Sequence, residues 1–308
     1  MTTPRSIPLS ALELSAAVRQ DRPYDAARLD RVLRVDERHG LVEVQAATPW
    51  KAIAATLRPG DQRAAATQTT MASVGASLSH NAAGPDGRPA VVHVESIAVV
   101  TPTGELRRAS RAANRELFAL VAGGQGLFGA LYSVTLDIGS LARAVNNAAP
   151  LVARDFGARG RPLRLLLPPD RLEAFLTEAR ARCKEWRMPL ARVEVRNTAQ
   201  ETDSFLRWAR RDYAAAALHL GEPAVLGAAV RATQLRRSLI DAAIALGGSF
   251  AVSCTPEATR AHLDACYPQL AEFLAEKRRI DPGERIVNAW YRHLRRLFGS
   301  PCAVRWSH

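Results

Sequence analysis

The chain has 308 residues, a length that fits one large domain or two modest ones. Hydrophobic residues make up 47% and charged residues 23%, a globular composition that excludes a disordered or fibrous protein. No apolar run reaches the roughly 18 residues of a membrane span. The segment 1–18 has no apolar stretch clean enough for a secretory signal, so we expect a cytoplasmic protein.

The net charge of +12 makes nucleic-acid binding a class to consider. The 42 Lys and Arg residues are spread along the chain, and no motif interleaves aromatic residues with them. This pattern argues against a nucleic-acid partner. An anionic cofactor, an anionic substrate or an acidic protein partner explains the charge as well.

The four cysteines are the other compositional signal. They are Cys183, Cys254, Cys266 and Cys302. No pair has CxxC spacing, so the sequence indicates neither a zinc site nor a disulfide framework. We expect reduced and mostly buried thiols, and no bound metal.

The first 140 residues predict strands separated by short helices. The segment 41–45 alternates apolar and polar residues, which is typical of a half-buried strand. Thr48 and Pro49 predict the start of a helix through Leu57, and 64–84 is expected to be a loop of small residues. Further strands are expected at 33–35, 94–100, 105–109 and 130–138, and a further helix at 115–122 with Asn114 as its N-cap.

The rhythm of elements changes after residue 140. The Ala-rich and Asn-rich segment 141–150 is expected to be a linker. Strands separated by long helices then predict a compact α+β layer. The strands are expected at 163–167, 190–196, 215–220 and 248–253, and the helices at 168–186 and 225–246. The tail 255–298 is expected to be mostly helical, with a break at 281–283.

Two segments rich in small residues are the candidate ligand-binding motifs. The first runs from Ser73 to Gly84, and the second from Gly123 to Gly129. Small residues let a backbone approach a ligand closely, and free amides can hold phosphate oxygens. Each motif alone is weak evidence. The second also lacks the preceding strand and the glycine spacing of a dinucleotide-binding fingerprint.

Together and in order, these motifs and their surroundings resemble the flavin domain of FAD-linked oxidases of the vanillyl-alcohol oxidase type. The matching segments are 41–57, 67–69, 73–84, 94–97, 103–106, 114–118 and 123–134, followed in the tail by 267–268, 273, 277–279, 281–282 and 288–292. The chain looks most similar to the branch that holds aldonolactone and alditol oxidases and decaprenylphosphoryl-ribose oxidase. The resemblance covers the chain from about residue 28 onward.

The resemblance implies an α+β fold in three parts. Residues 1–140 would form a shortened FAD-binding domain, 141–254 a smaller α+β substrate or cap domain, and 255–308 a return segment that packs on the FAD-type domain. It also implies non-covalent FAD as cofactor. An alcohol or sugar-like molecule would be the substrate, unless the chain partners another oxidoreductase subunit.

The resemblance further implies roles for single residues. The backbone amides of 73–76 would hold the FAD pyrophosphate and ribityl chain, and the 251–254 strand would face the flavin ring and substrate. The implied cofactor-binding residues are Gln68, Thr69, Ser73, Val74, Gly75, Ala76, His80, Asn81, Ala82, Ala83, Leu131, Ala251 and Asn288.

Three residues are catalytic candidates, each with a plainer alternative. His80 could act as a base beside the flavin, or be a loop histidine with a local hydrogen bond. Cys254 could be a thiolate nucleophile, or an inert buried thiol. Tyr291 could touch the flavin edge, or serve helix packing.

Four departures from the family pattern weaken the expectation of catalysis. The segment 1–25 contains no glycine and so does not supply the glycine-rich first pyrophosphate loop. Ala83 stands where the family often has His, Ala251 at a flavin-facing aromatic position, and Cys254 where sugar-oxidising relatives carry Lys or another polar group. Each lost charge-assisted bond would weaken FAD binding by about 1.5–3 kcal/mol.

The sequence therefore leaves three functions open. The first is an FAD-dependent oxidoreductase that moves a hydride from an alcohol or sugar carbon to the flavin. The second is a cofactor-free homologue that acts as a subunit or binding partner. The third is a repurposed, flavin-free enzyme that uses His80 or Cys254.

Overall fold

The structure is a computed structural model. It describes residues 9–54, 73–84, 87–146, 161–221 and 227–299. The helices of these residues are α1 (Ala11–Arg19), α2 (Trp50–Ala54), α3 (Val74–Ser79), α4 (Arg115–Val121), α5 (Ile138–Asn146), α6 (Leu172–Glu185), α7 (Ala228–Ala245), α8 (Arg260–Cys266), α9 (Leu270–Ile280) and α10 (Ala289–Phe298). The strands are β1 (Val32–Asp36), β2 (Leu41–Gln45), β3 (Val94–Val100), β4 (Leu106–Ser110), β5 (Ala130–Asp137), β6 (Leu163–Leu167), β7 (Leu190–Thr198), β8 (Tyr213–Leu220) and β9 (Ser249–Phe250).

Strands β1 to β5 form the first sheet, which is antiparallel throughout. The strand order is β1-β2-β5-β3-β4. The central strand β5 places Val134 opposite Val44 on one side and Ile97 on the other. All three side chains are buried, because alternate residues of each strand face the same side of the sheet. Helix α3 packs against β2 and β5.

Strands β6 to β9 form the second sheet, which is also antiparallel, in the order β7-β8-β6-β9. Helices α6 and α7 pack together, and α7 lies on β6. Their buried Phe175 and Leu239 share a hydrophobic cluster with Leu165 and Leu218 of the sheet. The helices therefore cover the sheet face of Leu165 and Leu218, which leaves its other face for the cavity described below.

The tail returns to the first half of the chain. Lys277 of α9 donates a hydrogen bond of 2.8 Å to the Leu127 carbonyl and forms an ion pair with Asp281. The Asn288 side chain donates to the Gln125 carbonyl over 3.0 Å. Phe273 packs edge-on against Phe128. These contacts agree with a return segment, and the three domain boundaries stay a prediction.

The α+β fold class and most elements agree with the sequence analysis. The strands 41–45, 94–100 and 163–167 have the expected bounds. Asn114 precedes α4 as expected, but it adopts a left-handed conformation. Its side-chain Nδ2 donates to the Arg108 carbonyl, and the side chain does not cap the helix. The predicted end of the helix at Leu57 lies outside the described residues.

Three local predictions are wrong. The expected loop before Gly84 contains helix α3, because Ser73 caps it and Val74 and Leu78 bury its apolar side. The expected linker from residue 141 begins inside α5, since Asp137 accepts a hydrogen bond from the Ser140 amide at the start of that helix.

The third wrong prediction concerns the strand expected at 248–253. Only β9 is strand, and a 3-10 turn over Val252–Cys254 follows it. The Ala251 carbonyl accepts bonds from the Cys254 amide and the Thr255 hydroxyl, which turns the chain away from the sheet. The expected long helix from residue 168 to Trp186 is present as α6, preceded by a 3-10 turn over Pro169–Arg171.

Candidate functional site

A cavity of about 160 Å³ lies between the turn that follows α3 and the open face of the second sheet. Three parts of the chain line it: residues 80–83 after α3, the sheet strands β6 to β8, and the turn 251–254. Leu206 and Trp208, from the connection between β7 and β8, close one side. The cavity thus joins segments that are more than 100 residues apart in the sequence.

The floor of the cavity is built from small residues. Ala215 and Ala217 of β8 project to the same face, because they are two residues apart on a strand. Across the sheet, Ala217 is opposite Arg164 of β6 and Glu194 of β7, and Ala215 is opposite Arg196 of β7. Methyl groups in the middle and long charged side chains at both edges leave open space over the sheet.

Six of the sequence-predicted residues line this cavity together. They are His80, Asn81, Ala82, Ala83, Ala251 and Cys254. The structure thereby brings the turn after α3 and the turn after β9 to one place. The individual roles of these residues toward a flavin stay predictions.

His80 lies at the boundary of two cavities. It also lines a second, more open cavity with Ser79, Gln125, Gly126, Asn288, Ala289 and Trp290. His80 Nδ1 and Gln125 Nε2 are buried and have no hydrogen-bond partner within the described part of the chain. Burial lowers the pKa of His80 below its ordinary value, so the imidazole is neutral at pH 7.

The Asn81 side chain is fully used by the protein itself. Its Oδ1 accepts the Val91 amide over 3.0 Å, and its Nδ2 donates to Glu201 and Ser204 over 3.4 and 3.3 Å. The Asn81 carbonyl accepts the indole N–H of Trp208 over 2.9 Å. Asn81 therefore holds the turn in position. A ligand in the cavity can contact Asn81 without replacing any of these hydrogen bonds.

The buried carboxyl of Glu201 was not found by sequence reasoning. It accepts the Asp203 and Ser204 amides over 2.8 and 3.0 Å, as well as the Ser204 hydroxyl. Burial raises the pKa of Glu201, against the opposing effect of these hydrogen bonds. The sequence offers only the Glu-x-x-Ser spacing as a signal, and surface turns often carry such a spacing.

The segment 73–76 differs from the open phosphate-binding loop that the resemblance implied. The amides of Val74 and Gly75 donate to the carbonyls of Thr48 and Ala46 over 3.2 and 2.8 Å. The Ala76 amide donates to the Ser73 hydroxyl over 3.3 Å. All three amides are engaged in this conformation, so a pyrophosphate would have to displace these bonds.

Gly75 has a packing reason of its own. A Cβ atom at this position would lie 2.6 Å from the Ala46 carbonyl oxygen and 2.7 Å from the Ala46 Cβ. The missing side chain therefore lets α3 approach the chain that follows β2. Close backbone packing is thus sufficient to explain a glycine that the motif assigned to ligand approach.

Four other predicted residues lie away from both cavities or outside the described residues. Tyr291 is buried in the core and donates to Glu284 over 2.9 Å; burial and this bond raise its pKa. Neither cavity includes Tyr291, so the geometry favours the packing alternative over a catalytic role. Leu131 of β5 is paired with Val99 in the first sheet. Gln68 and Thr69 lie outside the described residues.

The remaining candidate side chains are accounted for. Asn288 lines the second cavity, but its Oδ1 caps α10 through the Tyr291 amide. Cys254 is half-buried on the wall of the first cavity, with its sulfur 3.6 Å from the Ser253 hydroxyl. Cys183 and Cys266 are buried free thiols whose pKa is raised by burial.

The residues present fit one end of an FAD molecule better than the other. The unpartnered buried nitrogens of His80 and Gln125, which both line the second cavity, can receive a flat polar ring with its own donors and acceptors. The engaged amides of 74–76 do not offer the pyrophosphate an open cradle. The described residues therefore fit the ring end of the cofactor, and not its pyrophosphate.

A comparison with protein families adds independent support. Residues 17–110 match the FAD binding domain family, which is less than a third of the chain. This match supports an FAD-binding oxidase-family member and an FAD cofactor. A search of curated proteins finds no match.

Two further features, a membrane-spanning helix and a metal-binding cluster, are absent from the described ranges. None of the helices there is long and apolar enough to cross a membrane. No group of three or more His, Cys, Asp or Glu side chains within 9–54, 73–84, 87–146, 161–221 and 227–299 could hold a metal ion.

Proposed function

We propose that this protein is an FAD-linked oxidoreductase that oxidises an alcohol or sugar-like substrate and has a weakened hold on its cofactor. One observation carries the proposal: the turns at 80–83 and 251–254 meet in one cavity. The segment 251–254 was expected to face the flavin ring and its substrate, and His80 was expected as a possible base beside the flavin. The family match over residues 17–110 supports the cofactor class.

His80 is the residue best suited to move a proton in this cavity. Its neutral imidazole has an unpartnered Nδ1, so it can accept a proton from a substrate hydroxyl. FAD, when bound, supplies the hydride acceptor. Asn81, held by four hydrogen bonds, fixes the backbone beside His80 so that its ring keeps one position.

The walls formed by Trp208 and by the turn 251–254 select by shape. The indole of Trp208 is anchored to the Asn81 carbonyl and closes one wall. Ala251 and Cys254 keep the opposite wall small. With so few polar groups on these walls, the cavity excludes water mainly through apolar contact with a substrate.

We expect weak cofactor binding, because the 74–76 amides that would hold the FAD pyrophosphate are engaged within the protein. Each charge-assisted hydrogen bond that is not made costs about 1.5–3 kcal/mol, and every 1.4 kcal/mol is about a factor of ten in affinity. Two or three missing bonds would therefore raise the dissociation constant of FAD by at least about a hundredfold. We expect a protein that loses part of its FAD on purification.

The test is an FAD titration of the full chain, followed by flavin fluorescence and by the visible absorption spectrum. We expect saturable binding in the micromolar range, and weaker binding by His80→Ala. His39→Ala is the matched control, because His39 is an exposed histidine paired with Asp36 on the first sheet. A colourless protein that ignores millimolar FAD contradicts the proposal.

A second candidate function is a cofactor-free homologue that acts as a subunit or binding partner of another oxidoreductase. The engaged amides of 74–76 favour it, because a flavoprotein would keep them free for phosphate. The same titration separates the two functions. Failure to bind FAD, together with co-purification of an intact oxidase from the source cells, would favour the partner role. A flavin-free enzyme that uses His80 or Cys254, and a cytoplasmic location, stay predictions.

A further inference from the structure

The charged residues at the edges of the cavity floor indicate the charge of the ligand, which the fold alone does not. Arg164 and Arg196 line the cavity from opposite edges of β8. Their side chains form no hydrogen bond or ion pair with any residue that the structure describes. Both positions are at least partly exposed to the cavity opening, so the guanidinium groups are free to meet a ligand.

The one carboxylate on this floor is already compensated. Glu194 pairs with Arg192 over 2.9 Å and with His219 over 3.2 Å. It therefore does not neutralise the two arginines. Among the described residues that line it, the cavity keeps an excess of positive charge, and a partly enclosed site of one sign attracts ligands of the opposite sign.

The strand register lets the two arginines act on one ligand. Arg164 and Arg196 are two strands apart and offset by two residues along the sheet, since their partners on β8 are Ala217 and Ala215. Adjacent strands are about 4.8 Å apart and residues rise by about 3.4 Å, so the two Cα atoms lie about 12 Å from each other. Arginine side chains of this length can converge over the alanine floor that separates them.

We propose that Arg164 and Arg196 bind the acid group of the substrate, so that the cavity takes a small hydroxylated organic anion, with a carboxylate or phosphate group, rather than a neutral sugar alcohol. Guanidinium groups match both acid groups with paired, charge-assisted hydrogen bonds. The volume of about 160 Å³ is close to that of a cavity that holds one benzene ring, which limits the ligand to a few carbon atoms. The assignment of this anion as a substrate rests on the proposed function, whereas its binding does not.

The experiment measures anion binding to the purified full chain by calorimetry at low salt. The probes are oxalate, inorganic phosphate and the neutral ethylene glycol. We expect at least one anion to bind and ethylene glycol not to bind. Arg164→Gln and Arg196→Gln should each lower the affinity for that anion by about 10- to 100-fold, because each substitution removes one or two charge-assisted hydrogen bonds. A preference for oxalate identifies a carboxylate, and a preference for phosphate identifies a phosphate ester.

Arg180→Gln is the matched control, because Arg180 is exposed on α6 and does not line the cavity. It should bind the anion as the wild type does, and all three variants should melt at the wild-type temperature. The inference is overturned if neither anion binds, if Arg164→Gln and Arg196→Gln bind it unchanged, or if Arg180→Gln loses as much affinity as they do.

An FAD titration of the same variants keeps the two proposals separate. We expect the affinity of Arg164→Gln and Arg196→Gln for FAD to equal that of the wild type. A loss of FAD affinity in both would mean that the arginines hold the cofactor, and would overturn this inference. A wild type that binds oxalate but no FAD leaves the anion site standing and removes the proposed function.

Discussion

Replacing Lys277 by methionine should destabilise the protein more than any surface substitution. The ammonium group lies in the core between α9 and the glycine-rich segment 123–129. It pairs with Asp281 and donates to the Leu127 carbonyl over 2.8 Å. The two charged side chains are 0% and 1% exposed. Methionine has a similar length, so the change removes the charge and the donor while it leaves the space filled.

The magnitude follows from what remains in the core. Breaking a buried ion pair on one side costs about 3–5 kcal/mol, because the other charge stays buried without its partner. Asp281 keeps the amide hydrogen bonds of Arg285 and Ile286 over 3.0 and 2.9 Å, which moves the cost toward the lower end. Burial pushes the pKa of Asp281 up, but its hydrogen bonds outweigh burial and hold that pKa below the usual value.

Urea unfolding followed by tryptophan fluorescence measures the loss. We expect the free energy of unfolding of Lys277→Met to fall by about 3 kcal/mol or more. Adding Asp281→Asn should recover part of the loss, because asparagine keeps an acceptor for one of the two amides and removes the stranded charge. Lys184→Met, an exposed lysine on α6, is the control and should stay within about 0.5 kcal/mol of the wild type.

A small effect would refute this reasoning. If Lys277→Met and Lys184→Met lose equal stability, Lys277 does not sit as a charged group in a dry core. If the double variant is less stable than Lys277→Met, the stranded carboxylate is not the source of the cost. Either result would also remove the argument that α9 anchors the 123–129 segment beside the second cavity.

Three further predictions concern the site and its surroundings. Burial raises the pKa of Glu201 above its ordinary value of 4.5, so the stability that Glu201 contributes is present below pH 4.5 and is lost as the pH rises through the folded-state pKa. In urea titrations, the free energy of unfolding of the wild type relative to Glu201→Gln should therefore be higher at pH 5 than at pH 7, and a pH-independent difference would contradict this. Gly75→Ala should lower the free energy of unfolding, measured by thermal unfolding, by about 1–3 kcal/mol, because the new Cβ meets the Ala46 backbone. The loss should exceed that of Gly126→Ala, where the added Cβ meets no neighbour and only the positive φ of 74° is strained. Because burial lowers the pKa of His80, its basic form persists to a lower pH than that of a free histidine. In stopped-flow measurements, the fall in the rate of flavin reduction on acidification should therefore come at a lower pH than a free histidine would give. The same fall in His80→Gln would exclude His80 as the base.

Local patterns were sufficient for elements whose residues all obey one period. The segments 41–45, 94–100 and 163–167 are strands with the predicted bounds, because β-branched and aliphatic residues in short runs suit a buried strand. The same patterns failed at α3 and α5. The glycine and serine residues in the first turns of these helices carry little helix propensity, and the start of each helix depends on a single cap, Ser73 or Asp137. Both caps could have been read from the sequence, although many Ser and Asp residues cap nothing.

The candidate site was predicted in part. The resemblance indicated the turns at 80–83 and 251–254, and the structure places both on one cavity. It did not indicate Arg164, Arg196, Trp208 or Glu201. These residues lie in the middle of the chain, where the sequence shows no motif. Strand pairing places Arg164 and Arg196 at the cavity, and hydrogen bonds to Asn81 hold Trp208 and Glu201.

The sequence by itself determined the α+β class, the match of residues 17–110 to the FAD binding domain family and most strand positions, since each depends on neighbours within a few residues or on a motif in linear order. Only the tertiary structure decided what the motif residues contact. The 74–76 amides bind the Thr48, Ala46 and Ser73 oxygens, and strand pairing places Arg164 and Arg196 on opposite sides of the alanine floor. The physical reason is that hydrogen-bond partners and charge balance are set by groups distant in sequence, and the composition of a segment does not encode them.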